Sequence, residues 1–210
     1  MDGPGDGDAR DGTGEERTDG WPVDLRGVTE TLVATRGPEG LWNVAALGVH
    51  AGNPATARTW GRTRTRRNFS REGSGVVQFT RDPVLFAEAA LGVVEREEPV
   101  LAGADAWVEV DAESIDSGES GGTSWEEWAL DPGDSGIRRR VVPATNRGYY
   151  AVVEATVAAS RLGVEAYESA ELIDRLTYFA GVVERCGGPR EREAIEVVGD
   201  LTDGWEYDGA

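Results

Sequence analysis

The sequence predicts a mainly β chain with an α appendage, an α+β arrangement in which a closed antiparallel sheet is followed by a small C-terminal helical subdomain. Three observations predict it. Short β-rich runs recur from Val28 onward, turn-forming residues separate them, and the last third changes to apolar residues three and four apart. At 210 residues the chain has room for one full core and a small addition.

Residues 1–24 are rich in Gly and Asp with almost no apolar content, so they read as a disordered acidic tail. Their aspartates suggest a calcium loop starting at Asp6, but Arg10 stands where that loop needs its third ligand. The runs VTETLVATR and LWNVAALGVH, joined by Gly37-Pro38-Glu39-Gly40, form a hairpin. TARTW, GVVQFT, DAWVEVDAE, SWEEWAL and IRRRVVPA supply further strands, and SIDSGESGGTS between residues 114 and 124 reads as a flexible loop. Asp82 before Pro83 starts a helix through VLFAEAALGVV. The β domain thus occupies residues 25–146. Residues 147–200 hold amphipathic helices over YYAVVEATVAASRL and SAELIDRLTYFAGVVERCGG and a short third one through EREAIEVV, and 201–210 is a second acidic tail.

Acidic residues number 39 against 21 basic ones, for a net charge of -18 and a pI near 4.4. Every basic residue is arginine, and the acidic excess is spread along the chain. At molar salt the screening length falls to about 3 Å, which lets dense carboxylates coexist. The composition therefore points to a high-salt interior and argues against nucleic acid or an anionic membrane as partner. One cysteine and one histidine exclude an internal disulfide framework and a His/Cys zinc cluster. No apolar run reaches the roughly 20 residues of a membrane span, and the expected location is the cytoplasm.

The segment Arg62, Thr63, Arg64, Thr65, Arg66, Arg67 and Asn68 concentrates anion donors in this acidic chain. Arginine's planar fork matches phosphate oxygens in pairs, and Thr and Asn add short neutral donors. A small phosphorylated ligand fits the segment, as does a set of arginines pairing with surface carboxylates. The run Asn43, Ala45, Ala46, Leu47 and Gly48 is small enough for a flat ring to approach its backbone closely, though tight packing explains it too. His50 follows that strand, far in sequence from Cys186. The runs Glu95–Glu98 and Glu126–Glu127 read as solvated faces.

Three stretches, PEGLWNVAALGV, RTRRNF followed by GVVQFTRDPVLFAEAAL, and EATVAASRL with GGPREREAIEVV, carry a resemblance to the FMN-binding split barrels related to flavin reductases. The chain resembles in particular an archaeal family of uncharacterised proteins within them that has the helical appendage. The resemblance implies an FMN-binding split β-barrel, with the phosphate held at Arg64, Thr65 and Asn68 and the ribityl chain and ring along Asn43, Ala45, Ala46, Leu47 and Gly48. It implies a homodimer with FMN in clefts between barrels, and a flavin-dependent oxidoreductase drawing electrons from NADH, NADPH or another carrier. The alternative is a non-catalytic carrier or sensor of FMN or another phosphorylated heterocycle. Where the family often has Asn before the first barrel helix, this chain has Gln78.

If the acidic surface is an adaptation to salt, circular dichroism will show the fold melting away as KCl is lowered from molar to millimolar; full stability in dilute buffer assigns the charge to a basic partner.

Overall fold

The computed structural model describes residues 14–142 and 144–207. Eight strands and five helices follow one another as β1 (Glu16–Asp19), β2 (Val28–Arg36), β3 (Trp42–His50), β4 (Ala55–Trp60), α1 (Arg64–Glu72), β5 (Ser74–Phe79), α2 (Pro83–Leu91), β6 (Val94–Arg96), β7 (Ala106–Ser120), β8 (Thr123–Ile137), α3 (Arg147–Ala159), α4 (Ser169–Cys186) and α5 (Pro189–Asp200). Six strands in the order β8, β4, β3, β2, β5, β7 close on themselves through a β7–β8 ladder, and every pairing is antiparallel. The expected closed barrel with a helical appendage is therefore present. β1 adds to β8 and β6 adds to β3 outside the ring.

Alternation along the strands divides the apolar residues into two layers. Val33, Leu47, Val49, Val77, Val108, Trp128 and Leu130 fill the barrel. Leu32, Ala34, Val44, Val76 and Trp107 point outward and meet Phe86 and Ala89 of α2. The other side of α2 gives Val84 and Ala87 to the core of α3, α4 and α5. Asp82 caps α2 as its sequence indicates, accepting from the backbone N–H of Val84 at 3.0 Å and of Leu85 at 3.4 Å.

Two sequence expectations are corrected, and the basic segment, given no element from its sequence, forms one. The basic segment after β4 is a helix, α1, bounded by Thr63 as N-cap and Gly73 as left-handed C-cap. Its Phe69, 1% exposed, enters the barrel mouth and meets Trp128 at 5.3 Å between ring centroids. The expected loop at 114–124 is instead the far end of the β7–β8 hairpin, turned by Gly121 and Gly122 at φ 55° and 75°. IRRRVVPA is not a strand beyond Ile137, because the N–H groups of Arg138 and Arg139 both turn to the carbonyl of Asp105.

The tails are also more ordered than their composition suggests. Residues 1–13, including the calcium-loop candidate, lie outside the described region, but β1 falls within the expected tail. Glu15, 5% exposed, accepts from Trp107 Nε1 at 3.0 Å and from Arg138 Nε at 2.8 Å, and a Cβ at Gly136 would run into its carboxylate. At the other end Trp205 is buried in the helical core and donates to Thr177 Oγ1 at 3.3 Å.

Phe69→Ala is expected to cost about 3–5 kcal/mol of stability by leaving a cavity beside Trp128, measurable by urea unfolding. Tyr149 of α3 donates to the carbonyl of Thr80 at 3.1 Å, tying the appendage to the barrel. Its phenol is pushed up to about 12, chiefly by burial and then by Tyr150 and nearby carboxylates. The unfolded chain releases that proton near pH 10, so stability is full below pH 10 and falls as pH rises toward about 12. Tyr149→Phe removes this part of the decline, read as a flatter plot of denaturation midpoint against pH.

Candidate functional site

The barrel ring is incomplete along one edge. β3 pairs with β2 over its full length, but on its other side β6 covers only Trp42, Asn43 and Val44, and β4 covers only Val49 and His50. Among the described residues no strand covers that edge from Ala45 to Gly48. These are the small residues singled out in the sequence, and their unpaired edge leaves main-chain donors and acceptors available to a ligand. Ala46 and Gly48 lie on the outer side of β3, whereas Ala45 and Leu47 alternate toward the barrel, where Leu47 joins the core.

A basic cleft of about 540 Å³ lies at one end of this edge, between the β2–β3 turn and α1. Asn43, Arg64, Arg67, Asn68, Arg71 and Glu95 line it. Helical spacing sends Arg64, Arg67 and Arg71 to the cleft side and Arg66 the opposite way. Arg66 is structural: it donates to Glu126 Oε2 at 2.7 Å, Ser124 Oγ at 3.0 Å and the carbonyl of Gly61 at 3.1 Å. Arg64 Nη1 donates to Glu95 Oε1 of β6 at 2.7 Å, with both side chains about half exposed.

The other two residues proposed from sequence sit differently. Asn68, 4% exposed, lines the cleft, but its Nδ2 donates to the carbonyl and Oγ1 of Thr35 at 3.3 and 3.0 Å. Its remaining polar atom is the acceptor Oδ1. Thr65, 5% exposed, shares the buried stripe of Phe69, and its side chain is not part of the cleft lining. Thr63 takes the N–H of Arg66 on its Oγ1 at 3.3 Å and that of Arg67 on its carbonyl at 3.2 Å. The N–H groups of Arg64 and Thr65 lie ahead of that cap, with no protein acceptor among the described residues.

The larger cavity, about 770 Å³, lies at the other end of the open edge. Ala46, Leu47 and Gly48 form one side, and Ser160, Arg161 and Tyr167 of the appendage form the other, with Arg58 and Trp60 at the end of β4. Arg58 stacks over Trp125 at 4.2 Å and pairs with Glu127 at 3.1 Å; Arg161 lies over Tyr167 at 5.2 Å. His50 and Glu30 stand at the rim. The Glu30 carboxyl is raised above the ordinary carboxylate range, first by partial desolvation and then by Glu154, with His50 opposing.

Sequence reasoning left Arg67 undistinguished within its arginine cluster and missed Arg71 in the cleft and Arg58, Arg161 and Tyr167 in the cavity; it read Glu95 as a solvated face. The signal for the first two was the Thr63 and Gly73 caps, which mark the segment as a helix and put residues 64, 67 and 71 on one side. Glu95 and Glu126–Glu127 are not merely solvated, since each pairs with an arginine. Gln78 is fully buried, its Nε2 donating to Pro99 at 2.9 Å and its Oε1 accepting from Leu101 N–H at 2.7 Å, so it braces a loop outside both cavities. Cys186 packs beside the helical core, away from His50. Among the described residues no group of three His, Cys, Asp or Glu is placed to hold a metal ion, and no helix is long and apolar enough to cross a membrane.

Similarity to known proteins follows the same architecture. An FMN-bound protein from Methanosarcina mazei is 26% identical, with 84% of this chain and 96% of that one covered at a TM-score of 0.72. More distant likenesses include the styrene monooxygenase flavin reductase of Pseudomonas putida S12, at 13% identity, 56% and 93% coverage and a TM-score of 0.40. Nitrilotriacetate monooxygenase component B of Bacillus cereus follows at 19% identity, 50% and 68% coverage and 0.37. A model for the N-terminal domain of a protein of unknown function, DUF447, matches residues 29–139, and a second DUF447 model matches residues 146–200. With both models accounted for along most of its length, the chain belongs to the DUF447 family.

Proposed function

We propose that this protein binds FMN along the open edge of β3, with the phosphate in the basic cleft and the ring in the cavity under the appendage. The observation that carries the reading is the uncovered backbone from Ala45 to Gly48, which joins a guanidinium-lined cleft to a large cavity. From Asn43 to Gly48 the strand extends about 16 Å, which suits a ligand with a phosphate at one end and a flat ring at the other. The FMN-bound Methanosarcina relative, aligned over most of both chains, supports the same ligand.

The residues present fit that group. Arg64 would grip the phosphate, helped by the first-turn N–H groups of Arg64 and Thr65. Asn68 Oδ1 suits a ribityl hydroxyl better than phosphate, since a phosphate oxygen needs a donor and Asn68 Nδ2 is already given to Thr35; the buried Asn43 amide can both donate and accept. Ala45, Ala46, Leu47 and Gly48 would hold the ring edge through main-chain groups. Glu95, which takes Arg64 in the free protein, is an internal competitor for the phosphate. Bound flavin would supply electron and hydride transfer, while the chain binds, orients and shields it.

The reading includes a homodimer, with a second copy covering the cavity's open side, where Val28, Trp60 and Tyr167 are exposed. It also includes turnover with NADH, NADPH or another electron carrier as donor. The competing reading is a carrier or sensor that binds FMN without turnover. Anaerobic addition of NADH or NADPH to FMN-loaded protein separates the two: bleaching of the flavin bands supports a reductase, and persistent colour supports a carrier. A protein that takes up no FMN at molar salt overturns both.

Arg64→Ala is expected to weaken FMN binding by about 10- to 100-fold, the worth of a charge-assisted contact, in a fluorescence-quenching titration. Glu95→Gln is expected to tighten it by roughly two- to fivefold, because a half-exposed ion pair is worth less than about 1 kcal/mol.

A further inference from the structure

We propose that the basic cleft holds a second phosphate joined to the first, so that the protein accepts flavin esterified as a diphosphate as well as the mononucleotide. The inference rests on the FMN reading and concerns the part of the cleft that one phosphate leaves vacant. The cleft does not end at Arg64. It continues from Asn43, away from the ring cavity, to Gly37 and Pro38 of the β2–β3 turn, with Arg67 and Arg71 along its helical wall.

Arg64, Arg67 and Arg71 are spaced i, i+3 and i+7, so their stems span about 10 Å along α1, with adjacent ones roughly 5 Å apart. One phosphate is met in full by one bidentate guanidinium and the helix N–H groups beside it. Two further arginines on the same line are surplus to a monophosphate in a chain of net charge -18. They are also available. Arg67 donates to the carbonyl of Arg62 at 3.2 Å and has no carboxylate partner among the described residues. Arg71 is held by Glu72 at 2.7 Å in a partly exposed pair, which yields to a phosphate at little cost, and by the carbonyl of Arg36. The chemistry recognised is therefore a linear diphosphate whose far side carries a nucleoside or another ester, lodged against the β2–β3 turn.

Calorimetric titration of the intact protein with FMN and with FAD, at one fixed molar KCl concentration, tests the proposal. FAD is expected to bind at least as tightly as FMN. Arg67→Ala and Arg71→Ala are each expected to weaken FAD by about fivefold or more beyond whatever they cost FMN. Arg67→Gln and Arg71→Gln, which keep most of the side-chain length, serve if an alanine variant folds poorly, as judged by circular dichroism. FMN binding with FAD about 100-fold weaker overturns the diphosphate and leaves the FMN reading intact; so does an equal loss for both flavins in the variants. Failure of both flavins to bind the wild-type protein overturns the FMN reading itself, and the diphosphate with it.

Discussion

Helix α2 is apolar on both sides, and the arrangement of the molecule depends on that. Phe86 and Ala89 press on the outer face of the barrel, while Val84 and Ala87 enter the core of the three C-terminal helices. A helix buried on two faces fixes the bodies on either side of it, because neither can shift without opening a close-packed contact. Asp82 extends the constraint by polar means. It caps α2 and also accepts both Oδ contacts from Arg190 of α5 at 2.6 Å. The wall that α3 presents to the large cavity is thus positioned from behind, by packing remote from any ligand.

Helix α1 plays a comparable role for the cleft. Phe69 in the barrel mouth sets the rotation of the helix, and the rotation sorts three neighbouring basic residues by task. Arg66 is directed to the Glu126 carboxylate on β8, and Arg64 and Arg67 are directed to the cleft. A cluster that looks uniform in sequence is therefore two sets in space. The same helix leaves Thr65 facing inward, so its hydroxyl is turned away from the cleft.

Much of this architecture was legible in the sequence because it is written in periodicity. Alternation gave β2, β3, β5 and the inner half of β7, and apolar residues three and four apart gave α3 and α4. The small residues of β3 marked the open edge, although nothing in their spacing says that β4 would cover only Val49 and His50. What was not legible depended on partners distant in the chain. Residues 114–120 are polar enough to read as a loop, and they are extended because residues 123–128 of β8 pair with them while 125–128 are held on the other side by β4. β1 pairs with β8, and just before it the buried carboxylate of Glu15 meets Trp107 and Arg138, contacts across more than ninety residues that no local pattern announces. Among the site residues, Arg64 and Asn68 came from composition and resemblance. Arg161 and Tyr167 did not, because a wall contributed by a separate subdomain has no signature near the strand that it faces.

The tip of the β7–β8 hairpin lies close enough to the appendage that a Cβ on Gly121 would stand 2.8 Å from that of Ala166. Both segments border the large cavity. The long hairpin, projecting past its pairing with β5, is consequently tethered at its far end and loses the swinging freedom that an unsupported two-stranded arm would have. Barrel and appendage thereby enclose the cavity as a hoop anchored at both ends, α2 at one and this touch of two small residues at the other. Any side chain at residue 121 would have to push Ala166 aside, so hairpin tip and appendage come this close only because that turn position is glycine.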